Sequence, residues 1–202
     1  MKRDSVILFV IAFILFCQPA CSRIATTKHP KEMTFEQDVT FLEKHVDVIT
    51  LDQGPGKPKV AIVPAYQGRV MTSTVGGSKS PSHGWINREL IEDGRNNPHI
   101  NAYGGEDRFW LGPEGGQFSI FFKKGDPFDL EHWQTPVLID TQPYEVITKT
   151  EREVTFRHEA KIKNYSDADF FIRIDRTVRL LDRSRIDNLL GLKLSPAIDV
   201  VG

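Results

Sequence analysis

The sequence predicts an all-β, mainly antiparallel domain with one short N-terminal helix, and three observations carry that expectation. Short β-like runs at 60–64, 69–75, 117–122, 144–148, 153–163 and 169–181 are separated by Gly, Pro and Asn, the rhythm of consecutive antiparallel strands. The last two runs alternate apolar and polar side chains along their length, as strands with one covered face do. A helical spacing with its own start signal opens the domain just after residue 33.

Ahead of the domain, the chain begins with Lys2 and Arg3, runs through an apolar stretch at 6–17 and reaches Gln18-Pro19-Ala20-Cys21-Ser22. A charged start, an apolar centre and small residues at the end are the parts of a signal peptide, so residues 1–20 are expected to direct export and be removed. The apolar stretch is well short of the roughly 20 residues that a membrane-crossing helix needs. Ala20-Cys21-Ser22 is similar to the end of a bacterial lipobox, although Gln18 stands where such boxes usually carry an aliphatic residue. That likeness implies lipidation at Cys21 and a periplasmic or outer-membrane-anchored lipoprotein, held at the membrane without spanning it. Ordinary cleavage nearby, giving a secreted protein, is the alternative. Cys17 and Cys21 are the only cysteines, so the folded part is expected to lack disulfides and to depend on its hydrophobic core.

Residues 21–33 read as a largely polar tether leading to one domain at 34–202. The formal net charge of −1 supplies no basic surplus to hold a nucleic-acid backbone, so no nucleic-acid partner is expected. Hydrophobic residues make up 40% of the chain and charged ones 26%, a globular rather than a disordered balance.

The elements follow in order. Thr34-Phe35-Glu36-Gln37 has the spacing of a capping box, and Phe35, Val39, Leu42 and Val46 continue it at helical intervals. In the run 153–163, Val154, Phe156, His158, Ala160 and Ile162 share one face. In 169–181, Phe170, Ile172, Ile174, Arg176, Val178 and Leu180 do the same. Asn164-Tyr165-Ser166-Asp167 between them has good turn chemistry, which predicts a hairpin. Each apolar face carries one polar intruder, His158 or Arg176. A covered Arg must meet a carboxylate or face a wet cleft, and an ion pair is the simpler expectation for Arg176; His158 reads first as a hydrogen-bonded core histidine. The stretch 182–191 is expected to hold one or two helical turns, with Asp182 or Ser184 as cap and Gly191 as stop.

Most of the chemical information lies at 84–125. Within it, three Gly-containing turns frame Asn101, Glu106, Asp107, Arg108, Trp110 and Glu114. Carboxylates, an Arg and an Asn beside an aromatic are the residue types of a sugar site, because planar bidentate groups match vicinal hydroxyls and an indole face covers the apolar side of a pyranose. An internal ion-pair knot that pins a loop, with Phe109 and Trp110 in the core, uses the same residues and fits equally well. A metal site drawn from His99, Glu106, Asp107 and Glu114 matches no ligand spacing, so neither a metal nor a cofactor is expected.

Gly68-Arg69-Val70-Met71-Thr72-Ser73-Thr74, Gly84-Trp85-Ile86-Asn87 and the run 104–122 together resemble a bacterial domain-of-unknown-function family related to the galactose mutarotase (aldose epimerase-like) fold. The resemblance spans 34–202 and implies the N-terminal part of a β-supersandwich whose concave sheet faces carbohydrate. Mutarotases work with a general base and a general acid, usually a Glu and a His. By that likeness Arg69 falls near an early sugar-binding arginine, and Arg176 stands where the acid would be, although an always-charged guanidinium is a poor proton donor. The catalytic Glu would fall beyond Gly202, so the β-sandwich is expected to be incomplete and its open sheet edge to favour self-association.

Three functions are therefore expected as alternatives. The first is an envelope lipoprotein that binds or processes carbohydrate, with Arg69, Asn101, Glu106, Asp107, Arg108, Trp110, Glu114 and Arg176 around the ligand. The second is a noncatalytic envelope scaffold that keeps the fold. The third is an epimerase or glycoside-active enzyme, for which Glu106, Glu114 and His99 are the catalytic candidates.

Overall fold

The structure, a computed structural model, describes residues 32–202. The expected signal peptide, Cys21 and nearly all of the tether lie outside the described residues. The domain is mainly antiparallel β, as the alternation and turn rhythm predict, with a few short helices. The first element is α1 (Phe35–Leu42), whose capping box is complete: Gln37 N–H donates to the Thr34 hydroxyl while the Gln37 side chain accepts from Thr34 N–H. The predicted stripe is shifted by part of a turn. Phe35, Asp38, Phe41 and Leu42 are buried, while Val39 is half-buried.

One sheet contains β1 (Ile49–Asp52), β2 (Lys59–Val63) and β3 (Arg69–Thr74) in that order, all antiparallel. Every residue of β2 is buried, because this central strand is covered on both faces. Its Val60 and Ile62 join the main core, whereas Val63 joins a second cluster with Phe41, Leu42, Tyr66, Met71, Ile91 and Tyr103. Ile91 belongs to α2 (Arg88–Asp93), a short helix capped by Asn87 that periodicity alone does not predict.

The other sheet contains β4 (Glu145–Lys149), β5 (Glu153–Lys163) and β6 (Asp169–Arg179). The β5–β6 hairpin has the expected turn and an unbroken register from Glu153↔Arg179 to Lys163↔Asp169. The two predicted faces coincide across it: Val154 opposes Val178, Phe156 opposes Arg176, His158 opposes Ile174 and Ile162 opposes Phe170. Both sheets feed one core, since Ile49, Leu51, Val60 and Ile62 of the first cluster with Val154, Phe156 and Ile174 of the second. The sheets also meet at Gly68, where an added Cβ would stand 2.6 Å from the Phe156 ring.

The run 117–122 is irregular chain rather than a strand. Its apolar residues serve the core, with Phe121 almost fully covered and packed against Trp110 and Trp133. Its backbone groups are used by the hairpin turn instead of a ladder: Tyr165 N–H donates to Ser119 O at 2.7 Å and Ser166 N–H to Gln117 O at 3.1 Å. A last helix, α3 (Arg183–Leu190), occupies the expected 182–191 stretch with Asp182 as N-cap and Gly191 as C-cap.

Candidate functional site

The segment 101–110 folds onto β3, where one of its backbone N–H groups and one of its carboxylates engage the two backbone groups of Val70. Glu106 N–H donates to Val70 O at 2.8 Å, and Val70 N–H donates to Asp107 Oδ1 at 2.9 Å. Gly104 lies so close to the preceding loop that a Cβ there would stand 2.2 Å from Trp85 O. Its φ of +93° is a second reason for glycine.

The side chains of this turn have defined partners. One Glu106 oxygen accepts from Ser73 N–H at 2.5 Å and the other from the Ser73 hydroxyl at 2.9 Å. Asp107 Oδ2 forms the ion pair expected for Arg176, whose Nε donates to Gly68 O at 3.1 Å. Arg108 donates to Asp140 Oδ1 at 2.9 Å and lies over the Trp110 ring at 4.5 Å. Asn101 completes the arrangement, donating its amide to Asp140 Oδ2 at 2.7 Å and its backbone N–H to Asp140 Oδ1 at 3.0 Å. Arg69 is buried and spans from Gly104 O, at 2.9 Å, to Gln67 Oε1, at 3.1 Å. Burial, reinforced by the nearby Arg108, brings its guanidinium down to about 10.

Of the sequence-predicted site residues, Arg69, Asn101, Glu106, Asp107, Arg108 and Arg176 thus belong to one set of interactions joining β3, the 101–108 turn, β6 and Asp140. Trp110 joins this set only through the Arg108 guanidinium over its ring, and its indole Nε1 donates to Glu114 Oε1 at 2.8 Å. His99 is placed elsewhere, its Nδ1 2.6 Å from Trp133 O. His158 Nε2 lies 3.0 Å from Gln142 Oε1, and its ring stacks on Tyr144. Among the described residues no group of three or more His, Cys, Asp and Glu side chains is placed to hold a metal ion.

Beside this network, the apolar face of the β5–β6 hairpin runs out of the core and becomes one wall of an open trough of about 550 Å³. Phe170, Ile172 and Ile174 make that wall; Phe109, Leu111 and Phe118 face them. Phe118 is 62% exposed and Phe170 44%, so aromatic surface is presented to solvent. Arg173 and Asp175 stand at the rim, paired at 2.9 Å.

Compared with protein-family models, residues 33–202 match a family of unknown function, DUF6786. The chain belongs to that family. No curated protein matches it, and no solved structure does. The matched residues include both sheets, the polar network and the trough.

Sequence reasoning missed Asp140, Ser73 and Gln67, which hold the network together. For Asp140 and Ser73 no local pattern exists, because their partners are 39 and 33 residues away and are brought close only by folding; Gln67 stands two residues from Arg69, but its other partner, Gln142 O, is 75 residues away. Phe118 and Phe170 were also missed as site residues. For Phe170 a signal existed: alternation placed it on the apolar face near the outer end of the hairpin, where the core no longer covers it.

Proposed function

We propose that this DUF6786 domain is a carbohydrate-binding module of the bacterial envelope, exported by residues 1–20 and anchored through a lipid on Cys21. The trough carries the reading. Its volume, about 550 Å³, falls in the range of roughly 300–1,000 Å³ usual for small-molecule sites. Its exposed Phe118 and Phe170 rings offer flat apolar surface of the kind that covers the C–H face of a sugar ring. Two of its lining residues adjoin the polar network in sequence, Phe109 beside Arg108 and Asp175 beside Arg176, which ties the trough to that network as a support. Two antiparallel sheets sharing one core are what a mutarotase-like sandwich would contain, and this supports assigning the domain to that architecture.

Glu106 is disfavoured as a general acid or base, because both its oxygens accept from Ser73 and such a group must have its proton site free for substrate. A glycan array on the full chain tests the reading. Phe118→Ala and Phe170→Ala should each abolish the signal of the bound glycan while the fold is retained; undiminished signal in both variants, or no bound glycan at all, would overturn it. Labelling with radioactive palmitate tests the anchor, and incorporation that survives Cys21→Ala would remove it.

A further inference from the structure

The β4–β5–β6 sheet has two edges of unlike character. β4 is five residues long, and its pairing with β5 is broken by a register shift between Val146 and Thr148, a device that blunts an edge against further pairing. β6 forms the other edge and carries no such protection. It runs for eleven residues without proline, and its register with β5 is unbroken. Among the described residues its backbone hydrogen-bonds only with β5, so every second residue from Asp169 to Arg179 turns an unpaired N–H and C=O outward. Apolar surface stands beside this row, with Phe170 44% exposed and Phe171 84%.

The charge pattern of this edge is complementary to its own reverse. Two copies of β6 laid antiparallel about a two-fold axis at Ile174, the middle residue of the strand, overlap over all eleven residues. In that register Arg173 opposes the partner's Asp175 and Asp169 opposes the partner's Arg179, each pair occurring twice by symmetry. Within each chain Glu159 already opposes Arg173, Arg157 opposes Asp175, Lys163 opposes Asp169 and Glu153 opposes Arg179. Charge would therefore alternate in sign across four strands in every one of these rows. On the other face Ile174 meets its own counterpart and Phe170 meets the partner's Val178. Ile172 opposes the partner's Arg176, a residue that each chain already holds in its own ion pair with Asp107. Neighbouring registers lose this match. Moving the axis by one residue sets Arg173 or Asp175 against itself, and moving it by two opposes Asp169 to Asp175 or Arg173 to Arg179. An axis between residues would set the apolar face of one copy against the charged face of the other.

We infer that β6 is the interface of a two-fold homodimer, in which the β6 strands of two copies pair antiparallel about Ile174 and join their sheets into one of six strands. A second copy is favoured over an unrelated extended peptide because the order of Asp169, Arg173, Asp175 and Arg179 matches itself when reversed. Phe170, Ile172 and Ile174 line the trough, so the same pairing sets two troughs side by side on one face of the joined sheet. Such a dimer requires nothing of what the trough binds.

Sedimentation of the full chain in density-matched detergent should show a dimer at micromolar concentration. Arg173→Asp alone and Asp175→Arg alone each set like charges opposite one another at two places, and each should weaken dimerisation about tenfold or more. Mixed in equal amounts, the two variants bring opposite charges together at both places and should regain most of the parent affinity as a mixed dimer. Melting temperatures of the separate variants distinguish lost pairing from lost folding. Amide hydrogen exchange supplies a readout that needs no substitution: the outward N–H groups of 169–179 should exchange more slowly as the concentration of the unaltered chain rises, while those of β4 keep their rate. A monomer throughout this range, an assembly larger than two, or exchange at 169–179 that ignores concentration would overturn the interface. So would single variants that dimerise as tightly as the parent, or folded variants that fail to recover on mixing.

Discussion

Asp140 is the residue on which the polar network turns. It is 4% exposed and accepts from Arg108, from Asn101 N–H and from the Asn101 amide, three donors drawn from one neighbouring segment. A buried carboxylate is tolerated only when its lone pairs are filled in this way. Asp140→Asn keeps the shape but turns an N–H₂ toward donors, so it should lower unfolding free energy by about 2–4 kcal/mol, read from chemical denaturation midpoints. Gly104 is constrained for a different reason. An alanine there would need both the left-handed φ of +93° and the space held by Trp85 O, which makes Gly104→Ala strongly destabilising, whereas the same change at the unencumbered Gly112 should be close to neutral.

At the scale of the element, the β5–β6 hairpin does two jobs along one face. Near the turn-distal end its apolar residues enter the core, where Phe156 is fully covered; toward the turn they emerge as the trough wall. Phe156→Ala should therefore cost about 3–5 kcal/mol, while Phe118→Ala, across the trough, should leave the melting temperature nearly unchanged and act on ligand alone. The hairpin was fully legible in the sequence, because two eleven-residue strands give alternation enough cycles to be read. The four residues of β1 and the six of α2 do not, and both escaped. The run 117–122 failed for another reason: its apolar composition answers to burial of Phe121, and composition cannot tell a covered irregular segment from a strand.

Across the whole molecule, the solvent face of the second sheet is laced by ion pairs that set its response to acid. The hydrogen bond from Lys163 holds Asp167 below the ordinary aspartate value of 3.8, Lys161 does the same for Asp169, and Arg157 for Asp175. A carboxyl whose folded pKa is depressed contributes stability that is present above its unfolded pKa and lost as pH falls through the folded one. The melting temperature should thus fall as pH drops through and below 3.8, and the Asp167→Asn, Asp169→Asn and Asp175→Asn triple variant should flatten that fall. Because these pairs are exposed, high salt should flatten it too.

What the sequence determined by itself was the class of fold, the capped first helix, the hairpin with its two faces and the polar character of the 101–114 segment. These are local matters, decided by side-chain period, turn residues and capping spacing. Only the tertiary structure decided which of those polar side chains meet one another and which surface is left open. Glu106 on Ser73, Arg176 on Asp107 and Asn101 on Asp140 are contacts between distant stretches of chain, and no periodicity encodes them. The trough arises in the same way, where the folded hairpin meets an irregular segment and the core between them ends.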